Sequence, residues 1–193
     1  MRVTGLVVAL LSAASPALAQ SSPSGPTERG SVLVSGAASF THSKESDGGG
    51  STTIASLQPN VLFFLAPRLA VGGQLGLSYL DFDGGKGTSW LIGPAARIYF
   101  GPSSSRTLPF IGIAALKGST TIESDDTPGE RESETWSVEG LAGLTFMLSR
   151  QVGITGEAFI GRSEDSFDTG PFGEAEAKRT GFGLRFGIAA FLF

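Results

Sequence analysis

The sequence predicts an all-β chain folded as an eight-stranded antiparallel up-and-down transmembrane β-barrel. Three observations predict it. Segments in which apolar residues alternate with small or polar ones recur along the chain, with no helical stripe between the Gly and Pro breaks. Beyond the first twenty residues no apolar run approaches the roughly 18 to 20 residues that a membrane helix needs, so any span is built of strands. The connections alternate between short and long, the asymmetry expected when every second connection lies on the same side of a membrane.

The chain opens with Arg2, an apolar run from Leu6 to Ala13, and the small-x-small pattern Ala17-Leu18-Ala19. These are the three parts of a secretory signal peptide, residues 1–19, with cleavage after Ala19 leaving Gln20 first. Without a cysteine anywhere, lipid anchoring at the new terminus, disulfides and thiolate sites are excluded. Removing 19 of the 193 residues leaves 174, enough for one domain, with 13 basic and 18 acidic side chains and hence a net charge of −5. Such a balance lacks the basic face that a nucleic-acid partner requires. The Ser- and Pro-rich stretch 20–29 reads as a flexible lead-in, and 30–193 as the barrel.

The eight strands fall at about 30–42, 52–65, 69–81, 88–101, 108–122, 134–148, 152–163 and 179–193. Short connections follow strands two, four and six, at Ala66-Pro67-Arg68, Gly101 to Thr107 and Ser149-Arg150-Gln151. The longer ones are Ser43 to Ser51, Phe82 to Gly87, Glu123 to Ser133 and Glu164 to Lys178.

Within strands the faces sort cleanly. In strand four Trp90, Ile92, Ala96, Ile98 and Phe100 oppose Gly93, Ala95, Arg97 and Tyr99, and in strand six Trp136, Val138, Ala142, Leu144, Phe146 and Leu148 oppose Ser137, Glu139, Gly143 and Thr145. Strand two opposes Leu57, Val61, Phe63 and Leu65 to Ser56, Gln58 and Asn60. The apolar set suits lipid, the small and polar set a narrow lumen. Phe40, Tyr79, Trp90 and Trp136 fall near the outer strand ends, and Phe63, Phe100, Phe110, Phe146 and Phe193 near the inner ends, as interfacial aromatic belts do.

The final stretch Gly181-Phe-Gly-Leu-Arg-Phe-Gly-Ile-Ala-Ala-Phe-Leu-Phe193 resembles the last strand of outer-membrane β-barrel proteins, in which a terminal aromatic residue is part of the signal for barrel assembly. With the leader and the strand count, residues 30–193 resemble the small outer-membrane barrels of the OmpA-transmembrane, OmpX and opacity-porin type. The resemblance implies an outer-membrane location in a Gram-negative-type bacterium and contact with membrane lipid and lipopolysaccharide. It further implies recognition of Phe191 and Phe193 by the barrel-assembly machinery, and a structural, envelope-integrity or adhesion role through surface loops. Phe182, Leu184, Phe186 and Ile188 alternate in one phase and Phe191 and Phe193 in the other, so either a β-bulge near Ala189-Ala190 reconciles them or one of the two sets faces the lumen.

Four charged residues occupy lumen positions: Arg97, Glu139, Glu157 and Arg185. Folding strands seven and eight symmetrically about residue 171 makes Glu157 and Arg185 cross-strand neighbours, and folding six and seven about residue 150 sets Gly143 beside Glu157. Eight strands enclose room for side chains only, so these charges are expected to form a structural ion-pair plug in place of a gated ion path.

Catalytic chemistry has little to build on. His42, the only histidine, adjoins Ser43 with Glu45 nearby, but neighbouring strand residues point to opposite faces. Asp81-Phe82-Asp83-Gly84 lacks the spaced oxygens and closing glutamate of a calcium loop and reads as a turn. Asp125, Asp126, Glu130, Glu132 and Glu134, joined by Glu164, Asp165 and Asp168, make the outer loops acidic and suited to bridging by divalent cations. The expectation is therefore a non-enzymatic monomer without cofactor or resident metal, meeting an extracellular partner through its loops. Two other readings stand beside it: a soluble secreted or periplasmic ligand-binding barrel of lipocalin or avidin type, marked by an apolar lumen, and a small porin-like channel.

Overall fold

A computed structural model describes residues 23–44, 51–124, 130–168 and 174–193. The leader residues Ala17, Ala19 and Gln20 lie outside them, as do Glu45, Asp125 and Asp126. Eight strands follow in order: β1 Val32–Lys44, β2 Ser51–Ala66, β3 Leu69–Phe82, β4 Gly85–Tyr99, β5 Thr107–Ser124, β6 Glu130–Met147, β7 Val152–Asp168 and β8 Glu174–Leu192. Each pairs antiparallel with its neighbour and β8 returns to β1, closing an up-and-down barrel. Closure leaves the sheet without two free edges, the condition for spanning lipid with strands.

The strands run further than their apolar cores. At the end away from the termini, β3 and β4 join through Asp83 and Gly84 alone, where Gly84 adopts a φ of 95° that suits glycine and the Asp83 carboxylate accepts from the Ser51 N–H at 3.1 Å. The expected Phe82 to Gly87 loop is thus a tight hairpin. Likewise Glu130, Glu132, Glu134, Glu164, Asp165 and Asp168 sit on strands β6 and β7, not in loops. The reason is cross-strand pairing of polar groups: Lys86 meets Glu123 at 3.0 Å, Lys117 meets Glu134, and Ser119 donates to Glu132 at 2.8 Å. Alternation of Ser, Thr and Glu continues the ladder after the apolar residues stop.

At the other end Pro67-Arg68 makes a tight turn and residues 148–151 a short one, but residues 100–106 form the longest of the seven connections, so the short–long alternation expected from the sequence is not kept once the strands extend into the outer segments. Arg68 takes a left-handed φ of 71° and its carbonyl accepts from the Tyr99 N–H at 2.8 Å. The lead-in differs from the flexible segment expected over its described part. Gly25, Pro26 and Thr27 are buried against this end, Gly30 N–H donates to the Phe64 carbonyl at 2.9 Å, Arg68 N–H donates to the Thr27 carbonyl at 2.7 Å, and Ser31 Oγ donates to the Gly25 carbonyl at 2.8 Å. Its Pro and Ser residues form a turn that docks under the barrel.

Side-chain alternation fills the inside in layers. Nearest the termini, Leu33, Leu62, Phe64, Tyr99, Leu108, Phe110 and Phe191 form an apolar floor, with Tyr99 5.3 Å from Phe110 and 5.7 Å from Phe64 between ring centres. Charged side chains follow, and above them cross-strand hydroxyls such as Ser39 with Ser56 at 2.6 Å and Thr120 with Thr135 at 3.1 Å.

One expectation is corrected here, and one open alternative is decided. Phe110 belongs to this floor and not to an outer belt. The register of β8 against both β7 and β1 runs without a shift through Ala189 and Ala190, so no bulge forms and Phe191 is fully buried inside. The outward set of β8 is Phe182, Leu184, Phe186, Ile188 and Leu192. The seam between β1 and β8 is also short, pairing Val32 to Ala38 with Leu192 to Phe186, whereas β1 pairs with β2 along its whole length.

Candidate functional site

The lumen charges come from four strands: Arg97 on β4, Glu139 on β6, Glu157 on β7 and Arg185 on β8. The structure brings all four together. Arg185 stands directly opposite Glu157 in the ladder, and Gly143 opposite Glu157 on the other side. The Arg185 guanidinium donates from both Nη1 and Nη2 to Glu139 Oε2 at 3.1 Å, while its Nε lies 3.2 Å from Glu157 Oε1. That last contact lacks hydrogen-bond alignment and acts as a Coulombic one. Arg97 Nη2 donates to Glu157 Oε2 at 3.2 Å.

Two cations thus balance two carboxylates in a site where Arg185 is only 1% exposed and Arg97 4%. Isolated buried charges are costly, and only pairing of this kind makes them tolerable. Aromatic rings finish the enclosure: the Arg185 guanidinium lies 4.0 Å from the Phe159 ring centre and that of Arg97 4.8 Å from Phe110. Neutral amides continue the layer, with Ser35 Oγ donating to Asn60 Oδ1 at 2.7 Å and Gln74 Nε2 to Gln58 Oε1 at 3.3 Å.

Room for these long side chains is made by glycine. Arg97 pairs across the ladder with Gly112, Glu139 with Gly161, Glu157 with Gly143 and Phe159 with Gly183. A Cβ on Gly143 would come within 2.6 Å of Phe110 Cζ and 2.9 Å of Glu157 Cβ, and one on Gly183 within 2.9 Å of Phe159. Sequence reasoning found only Gly143 among these. Phe159, Gly112, Gly161 and Gly183 were legible in principle, since each glycine is the hairpin partner of a bulky inward residue.

The outer face is the inverse of the inner one. Trp90 on β4 and Phe100 one residue past its end, and Trp136 and Phe146 on β6, are outward pairs ten positions apart, each residue about half exposed. Ten residues at about 3.3 Å, tilted by roughly 40°, span about 25 Å, the height of a lipid-facing band. Between these levels the described outward side chains are apolar or small, including Ile98, Ile113, Leu144 and Ile160, up to the edge of the band away from the termini, where the exposed Lys117 stands opposite Ile92 and the exposed Arg162 opposite Val138. At the tryptophan level itself Trp136 faces Lys117 and Glu164 in the ladders, and Glu164 lies 3.5 Å from Arg162 and 3.7 Å from Lys178.

Two solved structures are similar to this chain. The crystal structure of Neisserial surface protein A (NspA) shares 14% identity, covers 83% of this chain and 96% of its own, and has a TM-score of 0.49. The N-terminal β-barrel domain of Pseudomonas aeruginosa OprF shares 14% identity, covers 85% of this chain and 98% of its own, and has a TM-score of 0.48. No family model matches the chain, and no curated protein matches it.

His42 and Ser43 are consecutive residues of β1, paired with Thr53 and Thr52. Of the calcium-like tetrapeptide, the Asp83 carboxylate caps Ser51 and that of Asp81 accepts from the Tyr79 hydroxyl at 3.2 Å. Among the described residues no three potential ligands converge on a metal position.

Proposed function

We propose that this chain is an outer-membrane barrel protein with a plugged lumen, acting as a structural or interaction protein that presents the strand ends and connections away from its termini at the cell surface. The observation that carries the reading is the inversion of polarity: ion pairs and hydroxyls inside, and outside an apolar band between two aromatic levels, with Lys117 and Arg162 at its outer edge. A soluble lipocalin-type barrel calls for the opposite, an apolar lumen for its ligand and a polar exterior. On this reading the short turns and both termini face the periplasm, the exterior meets phospholipid and lipopolysaccharide, and the assembly machinery reads β8. Phe193 follows the last strand residue, Leu192, and packs partly buried against the floor to which Phe191 belongs, and so lies apart from the expected aromatic belt. The protein acts as a monomer without enzymatic activity, and an extracellular partner is met through the connections.

Cell fractionation with electrophoresis of boiled and unboiled samples tests the location. Outer-membrane recovery with a heat-dependent change in mobility is the expected result, and soluble recovery without one would overturn it. Single insertions in planar bilayers test the plug, because the arginine–carboxylate layer and the aromatic floor lie in series across the lumen. Steady channel currents would replace the structural role with a porin-like one.

A further inference from the structure

Charge is divided unequally between the two ends of the barrel. Of the 13 cationic side chains after residue 19, two sit in the lumen and four at the short-turn end, leaving seven elsewhere; of 18 carboxylates, two are in the lumen and one at that end, leaving fifteen. The four are Arg29, Arg68, Arg106 and Arg150, all exposed, and among the described residues none is ion-paired. The one carboxylate, Glu28, is already taken up by Ser24 Oγ at 2.7 Å and Ser103 Oγ at 3.3 Å.

The arginines line two shallow concavities where the docked lead-in meets the turns. Arg29 and Arg68 border one with Ser103 and the Glu28 carboxylate, and Arg106 and Arg150 border the other, which has no carboxylate side chain, with Ser104 and Ser149. Guanidinium groups beside hydroxyls are the chemistry that holds phosphate. What selects a membrane phosphate over a soluble one is Arg106, whose guanidinium lies 5.4 Å from the ring centre of Phe146, a residue on the outward apolar face. The guanidinium is therefore held at the edge of the lipid band, at headgroup depth.

We infer that this arginine rim is a binding surface for the phosphate headgroups of anionic phospholipids in the leaflet facing the termini. The inference rests on the outer-membrane reading above and goes beyond it by naming a lipid class and a leaflet. One basic residue near an anionic surface strengthens attraction roughly fivefold, so the Arg106–Arg150 concavity favours phosphatidylglycerol over phosphatidylcholine by roughly thirtyfold at low salt and the Arg29–Arg68 concavity, offset by Glu28, by roughly fivefold.

The test uses the mature chain inserted in vesicles of mixed phosphatidylglycerol and phosphatidylcholine, followed by native mass spectrometry of the lipids it retains. Expected is enrichment of phosphatidylglycerol that disappears in the combined variant R29Q/R68Q/R106Q/R150Q and survives in R29K/R68K/R106K/R150K, with heat-dependent mobility confirming that each variant folds. No enrichment in the parent protein, or enrichment that persists in the glutamine variant, would overturn the inference while leaving the membrane reading intact. Arginine-dependent binding to isolated cell-wall polymer without any lipid preference would also overturn it, by assigning the rim to that partner. Failure of the parent protein to insert in either lipid would remove the membrane reading itself.

Discussion

Arg185→Ala is the perturbation that the lumen is least able to absorb. The guanidinium serves two carboxylates, but unequally: Glu157 keeps Arg97 at 3.2 Å, whereas among the described residues Glu139 has no other cationic partner. Breaking a buried pair by removing one partner costs about 3 to 5 kcal/mol because the other charge is left unbalanced. Loss of the stacked contact over Phe159 contributes up to about 2 kcal/mol when desolvated, and the two terms overlap because one group makes both. The expected loss is therefore about 3 to 5 kcal/mol in total. Removing the stranded carboxylate as well, in Glu139→Gln/Arg185→Met, should recover about half of it. Urea unfolding of the protein in vesicles reads this out through Trp90 and Trp136, whose emission reports transfer from lipid to water. An unchanged midpoint in Arg185→Ala, or an equal loss whether or not Glu139 is present, would refute the coupling.

Three further predictions probe other layers. Ile113→Arg places a charge midway down the outward face and should cost about 2 to 4 kcal/mol in a bilayer, measured by the same unfolding; no cost would mean that this face meets water. Gly143→Ala adds a Cβ within 2.6 Å of Phe110 Cζ and should destabilise by about 1 to 3 kcal/mol, while Gly181→Ala, with open space around it, should not. The docked lead-in should loosen in acid. Hydrogen bonds from Ser24, chiefly its hydroxyl, hold the Glu28 carboxyl below its ordinary value of 4.5, so the stabilisation is complete above that value and is lost as pH falls through the lowered one. Amide exchange at Gly30 and Ser31, which donate to Phe64 and Glu28 carbonyls, should then quicken in wild type, relative to the intrinsic rate, more than in Glu28→Gln.

The strands were legible because a half-buried ladder writes its faces into every second residue, and Glu157 opposite Arg185 followed from hairpin symmetry alone. Strand ends were not, since Ser, Thr and Glu in a ladder beyond the apolar band look like loop residues; only the cross-strand partners Lys86 with Glu123 and Lys117 with Glu134 show that they pair. The facing of Phe110 was misjudged, and that of Phe191 left open, for another reason. An apolar residue on the inner face of the floor carries the same hydropathy as one against lipid, and alternation identifies two faces without saying which is inside. The docking of residues 23–30 was hidden because most of its contacts are made by backbone groups, which composition does not report.

The short seam also bears on how the barrel is put together. Every other ladder joins strands adjacent in sequence and can zip outward from its own turn, but the seam must bring Val32 to Leu192 across nearly the whole chain. Its entropic cost of closure is the largest of the eight and its seven residue pairs repay it least, so by topology it forms last. The same arithmetic runs backward under load. Pulled apart, the cylinder parts first along this line, starting at Ala38 and Phe186 where pairing already stops, and Phe191, seated on the floor beside Phe64 and Tyr99, is the latch that resists the tear.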